Sequence, residues 1–328
     1  MHSGVNEGAR SASAGARSLK EGLRICSLLP SGTEILYSLG LDDQVVAVTH
    51  ECDFPPETAS KPKITEDLID HSNAKRKRGS AQPQKMTGVE IDHHVSSNIG
   101  RHGTIYRLKE DLLEALKPDL IITQELCEVC AVSYKEVQHA ARVLDGRTKI
   151  VSLEPNSLDD VLDTILLVGE LTGRQETAQD NVHELRARLD RVRERVRGLK
   201  RPRVYAMEWL DPPFSGGHWV PEMVEIAGGD EVLGKAGGKS ERITTERILE
   251  ANPEIVVLMP CGFSLERTIE EYRRTNFLPG WSGQVYAVDG SSYFNRSGPR
   301  LIDGVEILAD IFHPRGSHEP NRNFKRLS

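Results

Sequence analysis

The sequence predicts an α/β protein made of two similar halves that a long helix joins. In each half, short apolar runs alternate with amphipathic runs, which is typical of parallel strands linked by helical crossovers. The halves repeat one structural pattern, in which a helix ends at a proline turn and a strand follows. The segments that show it are LKPDLIIT in the first half and LEANPEIVVLM in the second. Between the halves, residues 182–199 carry apolar side chains at spacings of three and four. At about 1.5 Å per residue this helix spans roughly 30 Å, so we expect it to separate two lobes.

The first half follows a polar N-terminal segment, residues 1–22, that we expect to be disordered. Its apolar runs predict strands at residues 24–29, 45–49, 120–123 and 149–153, and helices at residues 34–39, 107–116 and 133–144. Pro30, Ser31 and Gly32 are expected to end the first strand, with Ser31 or Thr33 capping the next helix. Residues 66–98 are polar, basic and without periodicity, so they predict a flexible insertion. The run KRKR at residues 75–78 is typical of a solvated loop or of a nuclear localisation signal.

The second half repeats this pattern after a helix that begins near residue 158 and ends at Gly173. It predicts strands at residues 203–207, 254–259 and 284–288, and helices at residues 221–226, 245–251, 264–275 and 299–312. We therefore divide the chain into a lobe at residues 23–155, a helical linker at 156–200, a second lobe at 201–314 and a loose tail at 315–328.

Composition excludes several classes of protein. The 328 residues carry a net charge of −7, so no broad basic surface for nucleic acid is expected. Five cysteines in a chain of this length do not indicate a disulfide scaffold. The N-terminus has no apolar segment of the signal-peptide type, and no run is long enough to span a membrane. These features predict a soluble, monomeric, cytoplasmic protein without stable membrane insertion.

The segments that follow the predicted strands hold most of the residues capable of binding chemistry. In open α/β sheets ligands bind beyond the carboxyl ends of the strands. Residues 208–220, EWLDPPFSGGHWV, form the richest such segment, and their prolines and glycines predict a loop. Large aromatic side chains in such a loop favour a site for a flat, partly apolar ligand, although Trp209 and Trp219 are also compatible with core positions.

Cysteine and histidine residues at the same strand ends leave two further hypotheses open. Cys127 and Cys130 have the spacing of many zinc sites. The remaining ligands of a zinc or iron ion could come from His50, Cys52, His218 and Cys261. The same pair lies between a predicted strand and a helix, as thiol redox sites do, but Glu125 and Glu128 flank it and would raise the thiol pKa. An enzyme or sensor built on this cluster is the alternative to a simple binding protein.

Several stretches resemble a known family. RICSLLPS with Thr33 and Glu34 resembles the mature N-terminus of the cobalamin and ferric-siderophore substrate-binding proteins of ABC importers. THECDFPP, ELCEVCAVS, EWLDPPFSGGHWVPEMVEIAGG and YFNRSGPRLIDGVEILADIFHP resemble the cobalamin-binding branch of that family. The resemblance covers residues 24–314. It implies two Rossmann-like lobes with mainly parallel sheets, joined by one long helix, with the ligand in the crevice between them.

The resemblance implies a binding protein for cobalamin or a related corrinoid or metal chelate, held without chemical turnover. The ligand site is expected to use residues from both halves: Pro30, Ser31, His50, Glu208, Trp209, Gly217, His218, Trp219, Phe263, Tyr293 and Arg296. Within it, the aromatic side chains would pack on the ligand and His50 or His218 would approach its metal. Because the sequence shows no export signal, an ABC permease is not expected as the partner.

Overall fold

The computed structural model describes residues 22–68, 86–102, 105–124, 148–275, 277–278, 280–315 and 322–328. Two mainly parallel sheets with surrounding helices confirm the α/β class. The first sheet has the order β2-β1-β5-β6 with all neighbours parallel. Its strands are β1 (Ile25–Ser27), β2 (Val45–Val48), β5 (Leu120–Thr123) and β6 (Lys149–Ser152). Beside it, β3 (Thr65–Asp67) and β4 (Tyr106–Leu108) form an antiparallel pair.

The second sheet has the order β12-β11-β10-β7-β8, with β9 next to β7. The central strands β7, β10 and β11 are parallel, whereas β8 and β12 are antiparallel to their neighbours. Its strands are β7 (Arg203–Leu210), β8 (Pro213–Ser215), β9 (Asp230–Glu231), β10 (Ile255–Leu258), β11 (Gln284–Val288) and β12 (Phe324–Arg326). Every residue of β5 and β10 is buried, as expected for strands covered on both faces.

Helices alternate with these strands along the chain, as the alternating sequence pattern predicts. The helices are α1 (Pro30–Ser38), α2 (Gly88–His102), α3 (Glu110–Leu116), α4 (Leu158–Thr172), α5 (Gln175–Val196), α6 (Val220–Ile226), α7 (Thr245–Ala251), α8 (Leu265–Arg274), α9 (Gly290–Tyr293) and α10 (Leu301–Phe312). Among the helices that the structure describes, none has the length and apolar composition needed to cross a membrane.

Helix α5 connects the two halves, as predicted. Near its first turns the Asn181 side chain donates to the backbone carbonyl of Ser38 in the first half, at 2.8 Å. Near its last turn Arg195 pairs with Asp310 of α10 in the second half, at 2.9 Å. Its buried face belongs to one apolar core that contains residues of both sheets. Each fully buried Leu or Val in that core contributes about 1.5–3 kcal/mol to the stability of the fold, so burial holds both halves against α5.

Helix α1 begins earlier than predicted. Pro30 occupies its first turn, where the missing N–H would have had no helical partner, and Leu29 is the N-cap residue. The prediction that Pro30-Ser31-Gly32 forms a turn with Ser31 or Thr33 as the cap is therefore wrong. The helix ends before Gly40, whose φ of 68° suits a residue without a Cβ.

The segment at residues 208–220 is not a loop throughout. β7 continues to Leu210, and β8 returns antiparallel to it, with Trp209 paired to Phe214. Pro213 begins this edge strand, a position where a residue without a backbone donor is tolerated. Trp209 and Phe214 therefore sit on a hairpin, which is a stiffer support than the predicted loop, whereas Trp219 lies at the start of α6.

Three other predictions need correction. Residues 106–108 form strand β4, so the third helix begins at Glu110 rather than at residue 107. Part of the predicted insertion, residues 66–98, is regular, because α2 begins at Gly88. The tail contains β12, which pairs with β11. Residues 1–21, the KRKR run, Cys127, Cys130 and the helix predicted at 133–144 lie outside the described residues.

Candidate ligand-binding site

Groups from the two sheets meet in an open crevice at the ends of the strands. Glu51 and Tyr106 come from the first half, and Glu208 and Cys261 from the second. Desolvation, followed by the charges of Glu208 and Glu51, raises the pKa of Cys261 to about 12. Burial first, then Glu51 and Cys261, also raise the pKa of the Tyr106 hydroxyl. The Cys261 N–H donates to the backbone carbonyl of Glu208 at 3.2 Å, and the Tyr106 ring lies 5.0 Å from that of His50, the neighbour of Glu51, so each half contributes one close pair to this site.

The four groups are crowded by protein atoms and yet reach solvent. Cys261 and Glu51 are exposed, and Glu208 and Tyr106 are partly so. A group in a concave surface is both exposed and desolvated, because protein atoms surround it while water still reaches it. The site is therefore a crevice and not a part of the core.

Trp209, the neighbour of Glu208 in β7, forms an aromatic wall with Phe263. Its ring lies 5.2 Å from that of Phe263, which is buried behind it, and the Arg267 guanidinium lies 4.9 Å from the Phe263 ring centroid. The Trp209 Nε1 donates to the backbone carbonyl of Asp211 at 3.1 Å. Aromatic pairs of this kind contribute about 0.5–1.5 kcal/mol beyond burial, so the partly exposed Trp209 ring is held in place.

Helix α2 of the first half docks on α8 of the second half beside this wall. The backbone N–H of Gly88 donates to Glu271 Oε1 at 2.6 Å, and the Arg267 side chain donates to the carbonyl of Met86. Glu271 is buried and pairs with Arg267 at 3.4 Å. A Cβ on Gly88 would lie 3.6 Å from the Trp209 ring. The start of α2 therefore bridges the halves at the edge of the crevice.

Thr87 and Glu90 fix the start of α2 by a capping box. The Glu90 carboxylate accepts from the Thr87 backbone at 2.8 Å, and the Glu90 backbone donates to the Thr87 hydroxyl at 3.3 Å. This reciprocal pair is the T-x-x-E signature of a helix start. The signature lies within residues 66–98, so the prediction of a flexible insertion is wrong for this part of the chain.

Glu208 is held by the turn that follows β8. Its Oε1 accepts from the backbone N–H of Gly217 at 3.0 Å, and burial raises its pKa. A Cβ on Gly217 would lie 2.3 Å from the backbone nitrogen of Ser240, so only glycine permits this approach. Gly217 thus positions Glu208 and contributes its backbone rather than a side chain.

His50 has a hydrogen-bond partner at Nδ1, whereas its buried Nε2 lies near a carboxylate without a hydrogen bond among the described residues. Nδ1 lies 2.7 Å from Thr65 Oγ1, and Nε2 lies 3.4 Å from Glu51 Oε1. Thr65 donates its own hydroxyl to Thr49, so it accepts from His50. The close approach of the His50 ring is the main reason that the pKa of Glu51 is lowered. A metal would have to reach a buried Nε2 that lies beside Glu51.

His218 lies near the connection between the halves. Its Nδ1 is 3.3 Å from the side-chain oxygen of Asn156, in the segment that precedes α4. Burial, and then the charge of Lys239, lower its pKa, so the ring is neutral near pH 7. The structure brings His218 toward the linker and does not pair it with His50.

Ser31 and Arg296 join the halves. Ser297 donates its hydroxyl to that of Ser31 at 3.2 Å. The Arg296 guanidinium binds the Asp53 carboxylate and the carbonyl of Glu51, both from the first half, at 3.2 Å each. Arg296 is therefore an interlobe contact at the base of the crevice, where its charge also acts on Cys261.

Other predicted site residues lie away from the crevice wall. Trp219 is 7% exposed and belongs to the core, with Nε1 donating to the carbonyl of Phe294 at 2.8 Å. Tyr293 is half-buried with its ring 5.8 Å from the Arg300 guanidinium. Pro30, half-buried, serves the start of α1.

The described cysteines do not form a cluster. Cys52 is buried in the core, 3.1 Å from Thr33 Oγ1, and burial raises its pKa to about 11. Cys261 lies in the crevice, and Cys26 is a buried strand residue. Within the described part of the chain, no three His, Cys, Asp or Glu residues are arranged to hold a metal. Cys127 and Cys130 fall outside that part.

Sequence reasoning missed Tyr106, Arg267 and Glu271. Tyr106 lies in a strand of three residues, too short to show an alternating pattern. Arg267 and Glu271 have the i,i+4 spacing of an ordinary surface pair, and only the docking of α2 buries them.

Two lobes with a crevice between them are the architecture of a ligand-binding protein. Residues 25–282 match the model of the periplasmic binding protein family, and the chain belongs to that family. It is similar to the vitamin B12-binding protein of Vibrio cholerae serotype O1, with 24% identity over 293 residues, 86% of each chain. It is also 26% identical over 309 residues to an uncharacterized ABC transporter substrate-binding lipoprotein, YvrC, of Bacillus subtilis, covering 90% of this chain and 81% of the relative.

Solved structures share the fold. A periplasmic heme-binding protein from Pseudomonas aeruginosa matches with a TM-score of 0.65 and 16% identity, covering 93% of this chain and 98% of the other. The periplasmic vitamin B12-binding protein of Vibrio cholerae matches with a TM-score of 0.59 and 20% identity, covering 89% and 98%.

The family contradicts the prediction of a cytoplasmic protein. The relatives are named as periplasmic proteins or as a substrate-binding lipoprotein, which act outside the cytoplasm. That prediction depended on the absence of an apolar segment near the start of the sequence. The expectation that no ABC permease takes part depended on the same absence. It is no longer supported, because the relatives include a substrate-binding lipoprotein of an ABC transporter.

Proposed function

We propose that the protein binds a cobalamin-type corrinoid in the crevice between its halves and releases it unchanged. The observation that carries the proposal is the meeting of Glu51 and Tyr106 with Glu208 and Cys261 near the partly exposed ring of Trp209. Relatives named as vitamin B12-binding proteins support the choice of ligand.

The lining suits a large macrocycle with a polar rim. The Trp209 ring, held by Phe263, offers a flat apolar surface for a macrocycle face. Tyr106, Glu208 and Glu51 offer oxygen atoms, and a corrinoid carries amide groups around its ring that donate to such acceptors. A few polar groups around an apolar wall are typical of small-molecule sites.

Charge in the crevice favours a corrinoid over heme and over anionic iron chelates. Glu51 has a lowered pKa and is ionised at neutral pH. Two nearby guanidinium groups are already committed, Arg296 to Asp53 and Arg267 to Glu271 and Met86. Heme carries two propionates that need cationic partners, whereas cyanocobalamin has no net charge. An acidic crevice therefore opposes the heme propionates.

We further propose that the protein works outside the cytoplasm and delivers its ligand to an ABC permease. The family and the substrate-binding lipoprotein among the relatives support this role. Binding without chemistry is testable, because ligand recovered from the complex should be unaltered.

Equilibrium dialysis of the full chain against cyanocobalamin and against hemin tests the proposal. We expect saturable binding of cyanocobalamin, one per chain, with a Kd in the micromolar range or below, and weaker binding of hemin. Chromatography of the released corrinoid should give the starting compound. A chain that binds neither ligand up to about 100 μM would sink the proposal.

A further inference from the structure

A cavity of about 450 Å³ lies at the junction of the halves, apart from the crevice. Its walls come from α1, from Asp42 before β2 and from the segment after β2 in the first half, and from Pro299 and Arg300 in the second. Glu51, Tyr106, Trp209, Glu208 and Cys261 are not among its lining residues. At about 30 Å³ per water it has the volume of roughly 15 water molecules, which is room for a small metabolite.

Four of the nine residues that line this junction cavity carry rings. Tyr37, Phe54, Pro55 and Pro299 line it. Phe54 is 41% exposed, which is unusual for a phenylalanine, and the Arg300 guanidinium lies 4.1 Å from its ring centroid. An apolar body in the cavity would cover the remaining exposed part of Phe54.

One end of the junction cavity is rich in acceptors. The Tyr37 hydroxyl is buried and has no hydrogen-bond partner among the described residues. Burial, and then the charges of Asp42 and Glu57, raise its pKa, so it stays neutral and close to both carboxylates. Both carboxylates belong to exposed residues of the cavity lining.

The positive groups nearby are already engaged. Arg300 is bound to Glu34 through two hydrogen bonds. The Lys61 ammonium donates to the backbone carbonyl of Asp42 at 2.7 Å, and that of Lys63 donates to the carbonyls of Cys52 and Thr58. None of these contacts uses the carboxylate of Asp42 or Glu57 or the Tyr37 hydroxyl. These groups can therefore accept hydrogen bonds from an external cation.

The geometry points to a second ligand site here, for a small primary ammonium ion carried on an apolar or aromatic body. The ammonium would donate to the Asp42 and Glu57 carboxylates and to the Tyr37 hydroxyl. The body would lie against the rings of Phe54 and Pro299. Because the walls come from both halves, an occupant stabilises this arrangement of the halves.

Calorimetric titration of the full chain with phenethylammonium tests the site. We expect saturable binding with a Kd of about 1 mM or below. The neutral analogue 2-phenylethanol and the anionic analogue 3-phenylpropionate should bind at least about tenfold more weakly, since only the cation satisfies the acceptors.

Variants place the binding in the cavity. Asp42→Asn with Glu57→Gln changes two exposed side chains, so folding is retained, and should weaken phenethylammonium at least about tenfold. Asp43→Asn is the matched control, because Asp43 neighbours Asp42 but does not line the cavity; its Kd should stay within about twofold. Tyr37→Phe should weaken binding and leave the fold intact, since the hydroxyl has no partner to lose.

The outcomes distinguish this site from the corrinoid crevice. Trp209→Ala, which alters the crevice alone, should leave phenethylammonium binding unchanged, whether or not the chain binds a corrinoid. Equal affinity for the neutral alcohol, no loss in the Asp42/Glu57 double variant, or competition by cyanocobalamin would each overturn the proposal.

Discussion

The carboxylate of Glu34 in the first half accepts two hydrogen bonds from the guanidinium of Arg300 in the second. Arg300 Nη2 lies 2.6 Å from Oε1 and Nε lies 2.9 Å from Oε2. Both side chains are buried, Glu34 at 3% exposure and Arg300 at 14%. Arg296 reaches the same carboxylate at 3.5 Å. Such a two-point contact fixes orientation as well as distance, so it sets how the two halves meet.

Glu34→Gln should destabilise the protein by about 3–5 kcal/mol, because it leaves Arg300 and Arg296 buried near each other with one fewer negative charge. Urea unfolding gives this difference in the free energy of unfolding. Asp159→Asn, which removes one partner of the exposed pair with Arg186, is the control and should cost less than about 1 kcal/mol. Equal costs for the two variants would show that the Glu34 contact does not stabilise the junction.

Trp219→Ala should act on stability and not on the ligand site. Its ring fills the core and bonds the carbonyl of Phe294, so truncation should cost about 3–5 kcal/mol in urea unfolding. Trp209→Ala serves as the comparison, because Trp209 is partly exposed, and should cost less than half as much. A larger loss of unfolding free energy in Trp209→Ala than in Trp219→Ala would contradict these positions of the two side chains.

Glu271→Ala should release the start of α2 from the second half. The variant removes the acceptor of the Gly88 amide and the buried partner of Arg267. Hydrogen exchange at the Gly88 amide should accelerate by at least about tenfold, since a lost hydrogen bond opens that turn. Glu270→Ala, at a more exposed partner of Arg267, should leave that amide protected. Unchanged exchange in Glu271→Ala would mean that the bridge is absent in solution.

Glu231 should make stability fall as pH rises from acid to neutral. Its carboxylate accepts from the backbone of Ala206, Leu233 and Gly234, yet burial raises its pKa from 4.5 to about 7. Between these values the unfolded chain has lost the proton that the folded chain retains, so the free energy of unfolding decreases with pH and levels off above about 7.

The comparison with Glu231→Gln isolates this effect, because glutamine does not titrate. Subtracting the variant's unfolding free energy from that of the unaltered chain should give a difference that declines between pH 4.5 and 7. A difference that is flat, or that rises with pH, would contradict the raised pKa.

Strands buried on both faces were the easiest elements to predict. The bounds of β5 and β11 agree with the sequence prediction, since a continuous apolar run between turn residues has few other solutions. Strands β3, β4 and β12 were missed because three residues show too little pattern, and pairing with distant segments decides them.

The location of the site at the strand ends could be predicted from the sequence, but most of its side-chain contacts could not. Strand ends pointed to His50, Trp209 and Cys261 together, because the parallel topology brings them to one edge. The burial of Trp219 depends on the carbonyl of Phe294, 75 residues away, which no local pattern reveals.

The comparison of cyanocobalamin binding by the unaltered chain and by Trp209→Ala tests the central claim most directly. Equilibrium dialysis should give one saturable site in the unaltered chain and a Kd at least about tenfold higher in the variant, because the wall of the crevice is lost. Trp281→Phe, a change of a half-buried ring in the second half, should leave the Kd within about twofold. Corrinoid binding that survives Trp209→Ala unchanged would contradict a site between the lobes.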